Sequence, residues 1–318
     1  MNLNRKAAFI KFLEWSYLPK VIFRLTTLGK PKLIVLNYHQ VTRETIKSHL
    51  DFLSLSYKFI DLTEFDRLFH GEKRLKESSI LLTFDDGYRS FFTDVYPVLY
   101  KRNIPAVVFL TTSLVDTPNI LWTDLLRVSI LESNLAEITI AGSKYSLNGG
   151  SNRYRVYKAF SDRLKILHEN QRKPIVEEFS DIAQANKEKK RKYYILTWDQ
   201  IRKMANSNME FGSHSHTHPI LSTLSYYQLR VELERSKKII EEKIGKEVIC
   251  FAYPNGKKQD YDNRCIKLLS DLGYKLSFTT IQGNVRIGDF PYEIRRVLLF
   301  DKDHVSRLTF KFILKTNN

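Results

Sequence analysis

Apolar and polar positions change period repeatedly along this chain, and each change marks an element. Leu33–Asn37 (LIVLN), Ser79–Phe84 (SILLTF) and Ala106–Leu110 (AVVFL) are short continuous apolar runs, the pattern of strands buried on both faces. Met209–Gly212, Glu247–Ala252, Lys275–Thr279 and Arg296–Phe300 extend the set. Helical periodicity fills the gaps over Glu44–Ser54, Arg89–Lys101 and Asp262–Leu272, the last ending at Gly273. Ser225 with Gln228 three residues on forms a capping box that opens another helix, and Gly245 stops it. Seven strands alternating with helices predict a parallel α/β architecture, and a barrel is one way to close it.

Two stretches depart from that rhythm. Between Thr112 and Thr197 the pattern turns mostly helical and polar, with a turn at Gly149-Gly150. This predicts an insertion near 113–195 on the barrel rim, with about 75 residues of helix and loop. Residues 1–30 form a basic amphipathic extension: Phe9, Ile10, Phe12, Leu13 and Tyr17 recur at helical spacing among Arg5, Lys6, Lys11 and Glu14, and Pro19 interrupts them. Such a helix suits either a membrane interface or the flank of the main domain, and spacing does not choose between them. The main domain is expected over 31–300, with 301–318 as a tail.

Composition narrows the partners. The chain has 318 residues, 51 basic against 35 acidic, for a formal charge of +16, and 43% of its residues are hydrophobic. That apolar content can bury a large core, so wholesale disorder is excluded. No apolar run approaches the ~18 residues of a spanning helix. Lys11, Glu14, Lys20 and Arg24 interrupt every signal-peptide-like stretch, so a cytoplasmic protein is expected. Cys250 and Cys265 are too few for a disulfide framework or a four-cysteine zinc site. The charge excess favours an acidic partner, and much of it lies in short clusters such as Arg153 with Arg155 and Lys189-Lys190-Arg191-Lys192. No zinc finger, helix-turn-helix or aromatic RNA-binding signature accompanies them, and nucleic acid is not expected.

Two clusters can carry chemistry. Thr83-Phe84-Asp85-Asp86-Gly87 ends the second predicted strand. Adjacent carboxylates at a strand's C-terminal edge point to different sides, so one can hold a metal while its neighbour faces substrate. Asp-Asp-Gly is also ordinary turn chemistry. His214-Ser215-His216-Thr217-His218-Pro219 follows another predicted strand and holds three of the eight histidines. Imidazole with carboxylate makes a mixed nitrogen–oxygen metal site. A tight loop puts His214 and His218 on one side, whereas an extended segment would bring in His216 as a third ligand.

Together these clusters resemble the polysaccharide deacetylases, carbohydrate esterase family four, whose catalytic unit is the NodB-homology domain. Phe251-Ala252-Tyr253-Pro254-Asn255-Gly256 is similar to the family's third motif, and Leu36–Val41, Leu121-Trp122-Thr123-Asp124 and Leu196–Met204 match stretches common in one bacterial branch. The resemblance spans roughly 31–300. It implies a distorted (β/α) barrel, seven-stranded, and a hydrolase acting on carbon–nitrogen bonds other than peptides. The implied reaction is metal-dependent removal of acetyl groups, N-acetyl above all, from a carbohydrate of cell-surface polysaccharide metabolism.

Carried over residue by residue, the resemblance makes Asp85 the general base and Asp86, His214 and His218 the ligands of one divalent metal ion, zinc by preference. It also makes the backbone N–H of Tyr253 a stabiliser of the oxyanion. The family's late Leu-x-x-His motif, source of the general acid, is missing; His304 in Asp303-His304-Val305 is the late histidine that stands as candidate. The arginine that often precedes the third motif is also absent, with Ile249-Cys250 there, so Arg295 or Arg296 is left to charge-pair Asp85. His39, ending the first strand, either lines the site or packs as a hydrogen-bonded core histidine. The substrate expected is an acetylated carbohydrate or lipid-linked glycan, with peripheral contact to an anionic membrane at its inner face. A degenerate deacetylase fold that binds glycan without turnover is the alternative.

Overall fold

The computed structural model describes residues 31–184, 186–305 and Leu308; the extension 1–30 and most of the tail lie outside the described residues. Ten strands occur in chain order: β1 (Leu33–Tyr38), β2 (Lys58–Ile60), β3 (Ser79–Phe84), β4 (Ala106–Leu110), β5 (Glu137–Ile140), β6 (Ser143–Ser146), β7 (Met209–Ser213), β8 (Cys250–Ala252), β9 (Leu276–Gln282) and β10 (Ile294–Leu298). Eight make one sheet in the order β1-β10-β9-β8-β7-β4-β3-β2, and β1 also pairs with β3. Seven strands therefore close into a parallel barrel, while short β2 extends the lower half of β3 at Ser79–Leu81. Closure leaves the barrel strands without a free edge.

All seven barrel strands correspond to the apolar runs, and their boundaries move by a few residues. The last runs Ile294–Leu298 rather than 296–300, and the fifth shortens to Cys250–Ala252. The strand β2, the helix Leu62–Phe69 and the antiparallel hairpin β5–β6 were not anticipated. Both β2 and β5 are too short to show a period against their polar neighbours. The helix predicted over 89–101 forms with a π-helical segment at Phe91–Val95 ahead of Tyr96–Lys101. Pro97 in the first turn of the latter cannot donate a main-chain hydrogen bond, which suits the wider turn before it.

The strand period of two sorts the barrel into two apolar shells. Leu33, Val35, Leu81, Val107, Phe109, Leu276 and Phe278 point inward and are buried together, with Phe65 of the helix Leu62–Phe69 closing the lower end against Phe278. Ile34, Leu36, Ile80, Leu82 and Val108 point outward under the helices. Gly212 is required by this interior: a Cβ there would sit 2.5 Å from the Phe109 ring and 2.7 Å from the Cys250 sulfur. Cys250 and Cys265 are both buried and free. Among the described residues no helix is long and apolar enough to cross a membrane.

The segment between β4 and β7 caps one side of the rim. Its helices Trp122–Leu126, Gly150–Ile166, Glu169–Gln184 and Lys187–Arg191 pack with the β5–β6 hairpin around Phe160, Leu164 and Phe179. Gly149, at φ +81°, makes the turn into the helix Gly150–Ile166.

Candidate active site

Toward the C-terminal end of the barrel the inward positions turn from apolar to polar. Asn37 continues the inward face of β1, Thr83 and Asp85 that of β3, and Arg296 that of β10. Arg296 is only 1% exposed and grips Asp85 with two parallel bonds, Nη1 to Oδ1 at 2.8 Å and Nη2 to Oδ2 at 2.7 Å. Its Nε donates to the Thr279 carbonyl, and Asn37 Nδ2 donates to Asp85 Oδ2 at 2.9 Å. Burial by itself raises the Asp85 carboxyl, but the guanidinium of Arg296 and the nearby His214 outweigh it and hold the group below the usual carboxylate range. Of the two arginines considered from sequence, Arg296 supplies the charge. Arg295, the preceding residue of the strand, faces outward and is exposed.

Asp86 turns the other way because its backbone is left-handed, at φ +71°. Its Oδ1 lies 3.4 Å from His214 Nε2 and 3.5 Å from His218 Nε2, and all three residues are buried. His214 Nδ1 meets the Ala252 carbonyl at 2.7 Å, which leaves Nε2 as the lone-pair nitrogen facing Asp86. The loop between the histidines is a tight turn, with Ser215 and His218 both at positive φ and the His218 N–H donating to Ser215 Oγ. Glu232, on the helix Tyr226–Ile244, accepts the N–H groups of His216 and Thr217, each at 2.8 Å. His216 points away and meets Thr112 Oγ1 at 2.8 Å. The turn therefore brings together the pair four apart and leaves the middle histidine out.

This trio fits a metal ion. Asp86 Oδ1 is buried with no hydrogen-bond partner, an orphaned anionic acceptor aimed between two imidazole nitrogens. The three donor atoms lie within 4.8 Å of one another. Burial pushes His218 down to about 3, so this imidazole is neutral, as a ligand must be. Asp86 stays ionised: burial raises its carboxyl, but the surrounding histidines outweigh that and hold it below the usual carboxylate range.

These groups open into a cavity of about 390 Å³. His39 lines it, half-buried, beside both aspartates, so the site-lining alternative for this residue is the observed one. Tyr88, Asp124, Arg127, Tyr157 and Tyr193 form the facing wall. Tyr88 donates to Asp124 Oδ2 at 2.7 Å. Burial raises the Asp124 carboxyl to about 7, with the negative charge of Asp86 adding to it, although the Tyr88 hydroxyl works against the shift.

Two expected site residues fall elsewhere. The Tyr253 N–H donates to the Phe278 carbonyl at 3.1 Å within the β8–β9 ladder, so the oxyanion role expected of it is not available. Its ring stacks on Tyr261 and its hydroxyl donates to the Tyr292 carbonyl, away from the cavity. The error is one of phase: β8 continues to Ala252 and the turn follows, so Asn255 is the residue of this motif that lines the cavity. Asn255 has φ +58° and a buried Nδ2 with no hydrogen-bond partner. His304 is exposed and does not line the cavity. Asp124, Arg127 and Tyr157 were missed as site residues; the Leu121–Asp124 motif was the one signal pointing to this wall.

The polysaccharide deacetylase family pattern matches residues 72–277. A Bacillus subtilis (strain 168) protein, YxkH, assigned by name to the polysaccharide deacetylases, is 20% identical over 292 residues, which is 92% of this chain and 74% of that one. The poly-beta-1,6-N-acetyl-D-glucosamine N-deacetylase of Escherichia coli (strain K12) is 42% identical over 62 residues, 20% of this chain but only 9% of that protein. Among solved structures, IcaB from Ammonifex degensii superposes with a TM-score of 0.60 at 20% identity, covering 89% of this chain and 97% of that one. The Streptococcus pyogenes deacetylase PplD does so at 0.59 and 18%, covering 88% and 97%. At such identities the superpositions speak for the fold, whereas the matched motifs hold the aspartate and histidine trio just described: this chain belongs to the polysaccharide deacetylase family.

Proposed function

We propose that this protein hydrolyses the acetamide of N-acetylated sugar residues in a polysaccharide or lipid-linked glycan, using one divalent metal ion held by Asp86, His214 and His218. The observation that carries the reading is the orphaned Asp86 Oδ1 between two imidazole nitrogens, next to a carboxylate held ionised by Arg296. Two nitrogens and one carboxylate suit zinc and leave open coordination positions. When bound, the ion would supply Lewis-acid polarisation of the acetyl oxygen and a lowered pKa for water.

The chain's own groups account for the protons. Asp85, oriented by Arg296 and Asn37, accepts a proton from the attacking water as the new C–O bond forms. Asn255 offers N–H groups to the developing oxyanion in place of Tyr253. His39 gives a proton to the leaving amine as the C–N bond breaks, taking the role first considered for His304. Asp124, which keeps its proton to near neutrality, donates a hydrogen bond to the sugar from the facing wall.

Acetate release from N-acetylglucosamine oligomers tests the reading, with the wild type, Asp85→Asn and His39→Ala compared after zinc reconstitution. Release by the wild type and loss in both variants is expected. No release by a zinc-loaded wild type across β-1,4- and β-1,6-linked oligomers and glycolipids would replace catalysis with glycan binding.

We further propose that the glycan is met at an anionic membrane face, for which the support is the charge of +16. Each basic residue near such a surface contributes about 1 kcal/mol. Flotation with phosphatidylglycerol liposomes should be lost at 1 M salt, where the Debye length is about 3 Å. Salt-insensitive flotation, or none, rejects this part.

A further inference from the structure

On the far side of Trp122 from the metal trio lies a second cleft, of about 300 Å³, between the segment 113–125 and the helix Glu169–Gln184. Trp122 separates the two spaces: its indole N–H donates to the His218 carbonyl at 3.3 Å, while its ring lines the second cleft and sits 5.5 Å from the Arg172 guanidinium. One wall is apolar, built from Ile120, Leu121, Trp122, Leu125 and Val176. The opposite side is polar and mostly cationic in its charges. Arg172, Lys173 and Lys190 line the cleft against a single carboxylate, Glu177.

Lys190 belongs to the basic run 187–192, which by composition should be solvated. Instead it is only 3% exposed, the one buried lysine among the described residues. No hydrogen-bond or ion-pair partner among the described residues reaches its ammonium. Burial lowers its pKa and no carboxylate opposes that shift. A largely buried lysine with no anion beside its ammonium is unfavourable, and a cleft that gathers further cations around it is complementary to an anion. Apolar wall and cationic end together match an amphipathic anion.

We infer that this cleft binds a phosphate-class head group attached to an apolar tail, with Lys190 as the buried counter-ion and Trp122 and Leu125 as the floor for the tail. The ligand would lie against the back of the loop that carries His218. Binding is independent of acetyl hydrolysis and can be measured without it.

The experiment is calorimetric titration of the full chain with octyl phosphate below its micelle concentration, beside inorganic phosphate and octyl glucoside. Octyl phosphate should saturate one site and bind at least about tenfold more tightly than either control. Lys190→Met should weaken it by roughly thirtyfold or more, since the buried charge partner is gone. Lys173→Ala, a change at an exposed position that the fold will tolerate, should weaken it by about threefold. Equal binding of inorganic and octyl phosphate, both lost in Lys190→Met, would assign the site to free phosphate and overturn the apolar part. No saturable binding, or binding unchanged in both variants, overturns the inference entirely.

Discussion

Two regions meet across the catalytic cavity and treat a buried carboxylate in opposite ways. On the barrel side, Asp85 is held ionised by a bidentate arginine whose position is set by strand register. On the insertion side, Asp124 is just as buried but has a tyrosine hydroxyl for a partner, and it is raised to about 7. Burial penalises both charges; what differs is whether a cation grips the carboxylate directly. The barrel's closed ladder fixes Arg296 against β3 and leaves it nowhere else to go. The insertion, short helices and a hairpin, presents Arg127 at its exposed face without an ion pair to Asp124 among the described residues. One side of the cavity thus holds its carboxylate ionised and the other keeps its carboxyl protonated to near neutrality.

The strongest way to break this comparison is to empty the barrel side. His214→Ala and Asp86→Ala proteins should lose stoichiometric metal, read by elemental analysis, and with it all detectable turnover. Full metal retention in both would remove the barrel side's assigned role. Asp85→Asn should lower kcat by about 10²–10⁴-fold with the metal still bound. Unchanged kcat would move the base to the opposite wall.

Arg296→Met sharpens the contrast by making Asp85 resemble Asp124. Breaking a buried ion pair costs about 3–5 kcal/mol, visible in chemical denaturation at pH 7. The depressed Asp85 carboxyl contributes stability above the ordinary carboxylate range that is lost as pH falls through it. The variant should lack that acid-side loss, and the acidic limb of its pH–rate profile should move to higher pH. An unmoved limb would show that Arg296 does not set the base.

Asp124→Asn probes the other side with a smaller effect. A carboxyl raised to about 7 destabilises the folded chain progressively as pH rises from about 4 toward 7, and the penalty is constant above that. The variant should therefore gain stability relative to the wild type at pH 8 and not at pH 4, by a few kcal/mol at most. No difference between the two pH values would mean that Asp124 is ionised normally. Smallest of all, His216→Ala should retain metal and keep kcat within about twofold, as expected of a side chain bound to Thr112 outside the trio.

The legible parts of the site were those whose chemistry and spacing coincide within a few residues. Asp85-Asp86 and the histidine triplet each sit on one turn after one strand, so short-range pattern found them. His39 and Arg296 were visible only as candidates, because their roles depend on which strands become neighbours. Tyr253 was assigned one turn too early, since a motif does not reveal where β8 stops pairing and the loop begins. The insertion wall was hardest to read, because Asp124, Tyr157 and Tyr193 converge from separate helices and a loop with no shared period.

Alone, the sequence determined the seven strands, their parallel alternation with helices, and the aspartates and histidines whose donor atoms could hold a metal ion. Those follow from local patterning, where burial on two faces and turn chemistry leave one reading. Tertiary structure decided which histidine stays out, which arginine grips Asp85, that Asn255 rather than Tyr253 lines the cavity, and that Lys190 is buried within a basic run. Each of these turns on backbone direction or on neighbours distant in the chain. Electrostatic character, charged or neutral, base or acid, follows from the groups that closure of the barrel and docking of the insertion bring within a few ångströms.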